Sequence, residues 1–330
     1  MFVALVAVAA ALGMSYAMAG DDPCYNVSKP QPPKNDMPAP ADRDRLRGCN
    51  SEALYYGLGM PADPKDARLC AFVEIEHGAV ELPLEGSGML MMIYANGAQV
   101  QRNLSLAKSY ACTLGWDSRD LETLMRRMEA VRKSGGVLDA CDVAPAGTIL
   151  DICSAHREAV RLARIDDEEQ QIVSHWPATR RDAFARLKKA ETAYESARST
   201  TETTLRDSPA LQTSRRGDFR REFTASLKAM DAPVDPSLDL GQLDRELNAK
   251  YRAILKILVD AQAESPDRYG SLTPDGLRSA ERAWLHYADA WEEFRATAAL
   301  PLSTAELRRM LTMQRVVALR RLLAQLQDAG

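Results

Sequence analysis

The chain has 330 residues, 46% of them hydrophobic and 27% charged, with a formal net charge of −4. This is the composition of a soluble globular protein long enough for two or three domains, and its charge gives no overall argument for nucleic-acid binding. Aromatic residues make up only 6%, while alanine, leucine and arginine are abundant, which favours helix over sheet.

The amino-terminal segment differs from the rest. Phe2 to Leu12 is an uninterrupted apolar run, and Ala17-Met18-Ala19 has the small-x-small pattern of a signal-peptidase site. The expectation is a signal peptide over 1–19, a mature start at Gly20, and a periplasmic or secreted protein. No lysine or arginine precedes the run, so an uncleaved anchor is the alternative, and residues 2–19 barely reach spanning length. Membrane attachment is expected through that segment alone. Asp21-Asp22-Pro23 before Cys24 is unlike a lipidation site. Six cysteines, Cys24, Cys49, Cys70, Cys112, Cys141 and Cys153, lie beyond the cleavage point. An even number in an exported chain implies three disulfides, with fifteen possible connectivities. No Cys-x-x-Cys pair occurs and the histidines are scattered, so no metal or other cofactor is expected.

Residues 20–42 hold six prolines, Pro23, Pro30, Pro32, Pro33, Pro38 and Pro40, which predicts an extended tether. A helical repeat domain is expected over 43–134. Gly57, Asp63 and Ala67 recur as Gly97, Asn103 and Ala107, each 40 positions on. An apolar segment precedes each glycine, and Asp63 and Asn103 are suited to capping a second helix. Each unit therefore reads as helix, turn, helix, followed by a further helix over Ser118 to Lys133. Ser134-Gly135-Gly136 and Ala144 to Gly147 mark the next boundary, with Cys141 and Cys153 on either side of the second turn.

Tyr94-Ala95-Asn96-Gly97, Val100, Asn103 and Ala107 resemble the Sel-like repeats, a family related to tetratricopeptide repeats. The resemblance implies a short superhelix whose concave face holds a protein partner. Gln99 departs from the family's second glycine, and the stretch Gly78 to Gly88 is longer than usual.

Beyond residue 149 a longer repeat governs the pattern. Leu187-Lys188-Lys189-Ala190-Glu191-Thr192-Ala193-Tyr194 aligns with Leu277-Arg278-Ser279-Ala280-Glu281-Arg282-Ala283-Trp284 at an offset of 90, and Phe219 to Thr224 aligns with Leu307 to Thr312 at 88. A fixed period means one structural unit used twice. The expected modules are 149–232, with helices at 149–175, 178–206 and 217–230, and 235–327, with helices at 239–263, 274–298 and 304–327. Asp239 with Gln242 and Ser303 with Glu306 have capping-box spacing, and Thr273-Pro274 is a cap followed by a first-turn proline. Leu243, Leu247, Tyr251, Leu255 and Leu258 share one face. The fold class expected is all-α: repeat hairpins followed by duplicated antiparallel three-helix bundles.

Asp244, Leu247-Asn248, Tyr251, Leu255, then Leu277, Ala280 to Trp284, Tyr287, Asp289-Ala290, and Leu311-Thr312, Arg315 and Leu319 resemble the LprI-like lysozyme-inhibitor family over about 80 residues. The first module resembles it in degenerate form. Glu281 replaces the family's glutamine, Ala288 its arginine, and its usual cysteine pair is absent. The resemblance implies a non-enzymatic protein that binds a protein partner, a lysozyme-type peptidoglycan hydrolase being the most concrete.

Trp284, Tyr287 and Trp291 form one stripe at helical spacing, read as bundle core or, with Arg282, as a partner-binding patch. Arg308, Arg309, Arg315, Arg320 and Arg321 on the last helix read as a solvated face, with a basic strip for an acidic partner as the alternative. The run Asp166 to Glu169 points around a helix and reads as a surface patch. Glu85-Gly86-Ser87-Gly88 lacks the glycine that a nucleophile elbow needs. The sequence thus reads as a binding protein, either an inhibitor or immunity protein, or an envelope scaffold that recruits a partner through its repeats.

Overall fold

The computed structural model describes residues 22–79, 82–144, 147–202, 209–230, 239–265 and 268–328. The leader expected at 1–19 and the turn expected at 233–236 lie outside them. Among the described residues there are twelve α-helices and no strand, so the fold is all-α. The chain divides into two compact units, Met1–Leu150 and Asp151–Gly330.

The first unit contains α1 (Pro40–Arg45), α2 (Ser51–Tyr56), α3 (Pro64–Glu76), α4 (Gly86–Asn96), α5 (Leu104–Ala111) and α6 (Ser118–Ser134). The 40-residue spacing is repeated in backbone geometry. Gly57 and Gly97 both end a helix in the left-handed region, at φ 73° and 68°, where a side chain would be strained. The amide of Asp63 donates to the Leu54 carbonyl at 2.7 Å and that of Asn103 to the Tyr94 carbonyl at 2.9 Å. Asp63 caps α3 through the Lys65 and Asp66 amides, and Asn103 caps α5 through the Leu106 amide. Helix α4, from Gly86 to Ala95, is buried throughout and packs between α3 and α5, as a helix apolar on every side must.

The proline-rich stretch is not the free tether expected. The Cys24–Cys112 disulfide ties it to the end of α5. Buried Arg68 donates from Nε to the Asp36 carbonyl at 3.1 Å, and the Tyr94 hydroxyl donates to the Asp36 carboxylate at 3.2 Å. Prolines exclude regular helix only until Pro40, which takes the first position of α1. Cys49–Cys70 is the second resolved pair; Cys141 and Cys153 are also disulfide-bonded, and no cysteine is free.

The second unit contains α7 (Thr148–Ser174), α8 (Ala178–Thr201), α9 (Pro209–Ala229), α10 (Leu240–Glu264), α11 (Pro274–Thr297) and α12 (Thr304–Asp328). Its caps follow the residues that announced them. The Gly276 amide donates to Thr273 Oγ1 at 3.0 Å, and Ser303 and Glu306 exchange bonds of 2.8 and 3.2 Å. Asp239 caps through the Gly241 amide. Helix α9 begins at Pro209, earlier than expected. Gly217, the first residue of the helix expected at 217–230, lies inside α9, where a Cβ would collide with the Arg161 and Glu158 side chains of α7.

Two self-contained bundles do not form. The most extensive helix pairing is α8 on α11, the middle helices of the two triplets, followed by α10 on α12. One apolar core runs from Phe184 and Tyr194 through Phe223 to Trp291 and Leu319. Tyr194 stacks on Tyr287 with ring centroids 5.2 Å apart, and Phe223 meets Trp291 at 5.7 Å. Either triplet alone would leave these rings in water, at a cost of about 1.5–3 kcal/mol for each buried side chain. The acidic run is not a bare surface patch. Asp166 and Glu168 pair with Arg220 and Lys228 of α9, and Glu169 pairs with Lys188 at 2.7 Å.

Candidate functional site

The apolar stripe of α10 reaches a cleft through Leu247 and Tyr251. Leu240, Asp244, Leu247, Asn248 and Tyr251 follow one another at helical spacing and form one wall of a cleft of about 710 Å³. Arg278, Glu281, Arg282, Trp284 and Leu285 of α11 form the opposite wall, and Arg308 and Thr312 of α12 close it. The volume falls in the range of about 300–1,000 Å³ typical of binding clefts.

Its floor is apolar and its rim is charged. Leu247, Trp284 and Thr312 are buried, while Leu285 stands 46% exposed. Arg278 is held by Asp275 at 2.7 Å, and Arg308 by Asp289 at 3.1 Å and by Glu292. The Glu292 hydrogen bond raises the Arg308 pKa, so its charge is fixed. Arg282 is exposed and makes no ion pair or hydrogen bond among the described residues, and the Asp244 carboxylate makes none either. The cleft thus offers one uncommitted cation and one uncommitted anion above an aromatic and aliphatic floor.

Glu281 connects the cleft to the interior. Its carboxylate accepts from Arg315 Nε at 3.0 Å and Nη2 at 2.8 Å. Arg315 also donates to both Glu202 oxygens, at 3.1 and 2.7 Å, and to the Tyr194 hydroxyl at 3.2 Å. Its side chain is completely buried. Burial opposes the charge, but Glu202, Tyr194 and Glu281 outweigh it and raise the Arg315 pKa well above its ordinary value. The interaction is strong because the pairing is bidentate and the side chains are buried.

The four residues expected to bind a partner separate here. Arg282 is on the rim and Trp284 is in the wall, 6% exposed. Tyr287 and Trp291, at 2% and 0%, are core residues packed against α8 and α9 and are out of a partner's reach. The last-helix arginines are no continuous basic strip either: Arg308 and Arg320 are ion-paired and Arg315 is buried. Sequence reading missed Arg278, Leu285 and Arg308 as cleft residues. The available signal was their placement four residues from Arg282, one from Trp284 and four from Thr312. Cys49, Cys70 and Glu74 have atoms within 4.8 Å of one another, but the two sulfurs are bonded together and present no thiolate to a metal.

No curated protein and no solved structure matches the chain. Residues 237–328, which carry every side chain of the cleft, match the family described as lysozyme inhibitor LprI.

Proposed function

We propose that the chain is an exported, non-enzymatic binding protein whose second unit inhibits a lysozyme-type peptidoglycan hydrolase. The observation that carries the reading is the family match at 237–328 coinciding with the cleft of Arg282, Trp284 and Leu285. A glycosidase of this class works with two carboxylates flanking its scissile bond, and arginine and aromatic anchors are suited to engaging such a surface. The triplet at 149–232 is read as a degenerate copy that supplies core for the matched segment. Export rests on the leader-like residues 1–19 and on the fully oxidised cysteines. No helix among the described residues is long and apolar enough to cross a membrane. The test is clearance of a cell-wall suspension by a panel of lysozymes with the purified protein in excess. Slowed clearance by at least one enzyme is expected; undiminished clearance by all removes the inhibitor reading.

A second reading draws support from the first unit. Two helical hairpins at a 40-residue spacing suit Sel-like repeats, which would make the chain an envelope scaffold that recruits a protein partner. Affinity capture from envelope extracts separates the two. A hydrolase as the main captured protein favours inhibition, and an endogenous assembly complex favours scaffolding.

A further inference from the structure

A second cleft of about 700 Å³ opens between α8, α9 and α12. Two of its three walls precede residue 237, so the family match does not account for it.

Four arginines and four carboxylates line it, but they are not all paired with one another. Every carboxylate in its lining is already committed to arginine. Glu195 pairs with Arg216, Glu222 with Arg198 at 3.3 Å, and Asp218 with Arg161 at 3.2 Å. Glu202 is taken by Arg315 at 2.7 Å and by Arg198 at 3.7 Å. Two arginines have no such partner. Arg215 donates only to the backbone carbonyl of Glu202, and Arg321 is exposed with no ion pair among the described residues. Burial and the neighbouring Arg198 guanidinium lower the Arg215 pKa, and the Glu202 and Asp218 carboxylates offset this only in part.

The remaining lining decides the kind of anion. Gln325 supplies an amide, Gln314 supplies its amide oxygen, its nitrogen already donating to Ser226 Oγ at 2.8 Å, and Val317 and Leu322 supply an apolar wall. A compact, multiply charged anion such as phosphate would sit close to four carboxylates fixed in the lining. A peptide spreads its carboxylates apart and brings backbone groups that match the two glutamines. We propose that this cleft binds a short acidic peptide, with Arg215 and Arg321 each taking one carboxylate and Gln314 and Gln325 taking its backbone. The site is independent of the inhibitor reading, since no residue is shared with the other cleft.

Titration calorimetry on the full chain tests it, with acetylated tri-glutamate as the probe and acetylated tri-glutamine and inorganic phosphate for comparison. Tri-glutamate binds, tri-glutamine does not, and Arg321→Gln and Arg215→Gln each weaken binding about tenfold, as loss of a charge-assisted hydrogen bond requires. Arg126→Gln, an exposed position on α6, changes nothing. Because Arg215 also holds the Glu202 carbonyl, the exposed Arg321 carries the decision. Absence of tri-glutamate binding, equal binding of phosphate, or binding that Arg321→Gln leaves intact would each overturn the proposal.

Discussion

Replacing Arg315 with methionine removes five hydrogen bonds from a side chain that is completely buried. It strands the Glu281 carboxylate, 15% exposed, and leaves Glu202, 5% exposed, with only the looser Arg198 contact at 3.7 Å. Breaking a buried pair in this way costs about 3–5 kcal/mol, because the orphaned charge keeps its desolvation penalty. In a unit of 180 residues, 151 to 330, each kcal/mol lowers Tm by roughly 2–4 °C, so a fall of about 6–20 °C is expected. Circular dichroism melts and urea titrations at constant pH measure it. The triple variant Arg315→Met, Glu202→Gln, Glu281→Gln should regain much of the loss, since neutral amides carry no desolvated charge. Arg315→Lys should be intermediate, because one ammonium cannot reproduce the fork of Nε, Nη1 and Nη2. A single variant within about 1 kcal/mol of wild type, or a triple variant no better than the single, would refute the account of the network.

Glu191 offers the opposite case. Burial raises its pKa despite Lys188 and Arg220, and its Oε1 has no hydrogen-bond partner. The charged form is therefore disfavoured in the fold. The penalty is absent below the ordinary glutamate pKa and grows as pH rises through the raised folded value. Glu191→Gln should gain stability relative to wild type between pH 4 and pH 7; a relative loss over that interval would contradict the burial argument. Removing Cys24–Cys112, which spans 88 residues, should cost about 4–5 kcal/mol and removing Cys49–Cys70, which spans 21, about 3 kcal/mol on chain entropy. Denaturant melts of the two double-serine variants compare them, and a reversed order would point to native contacts as the dominant factor. A Cβ at Gly88 collides with the carbonyls of Leu82 and Pro83, so Gly88→Ala should destabilise the first unit by about 1–3 kcal/mol. An unchanged melt would mean that the Leu82–Pro83 backbone yields freely.

Local chemistry made the helix ends readable. Ser303 with Glu306, Thr273 with Pro274, and Asp63 and Asn103 each act at their own position through bonds to amides two or three residues away. The pairing of α8 with α11 had no such signature, because two amphipathic helices 90 residues apart do not state which apolar face meets which. For the same reason periodicity located the stripe of Trp284, Tyr287 and Trp291 but not what covers it. Arg315 was misread as one of a charged series. Its spacing of four from both Leu311 and Leu319, on the buried side of α12, was the signal that it points inward. Arg282 was recognised as a candidate, whereas its cleft depends on three helices meeting and was not visible in any one of them.

The cross-links in the first unit are nested, Cys49–Cys70 lying within the loop closed by Cys24–Cys112. If the chain is exported as proposed, threading amino terminus first into an oxidising compartment presents Cys24 and Cys49 to each other before either proper partner has emerged. A Cys24–Cys49 bond formed at that stage would have to be undone by thiol–disulfide exchange before the outer loop could close. Yield in the cell should accordingly follow the supply of a disulfide isomerase more closely than that of an oxidant.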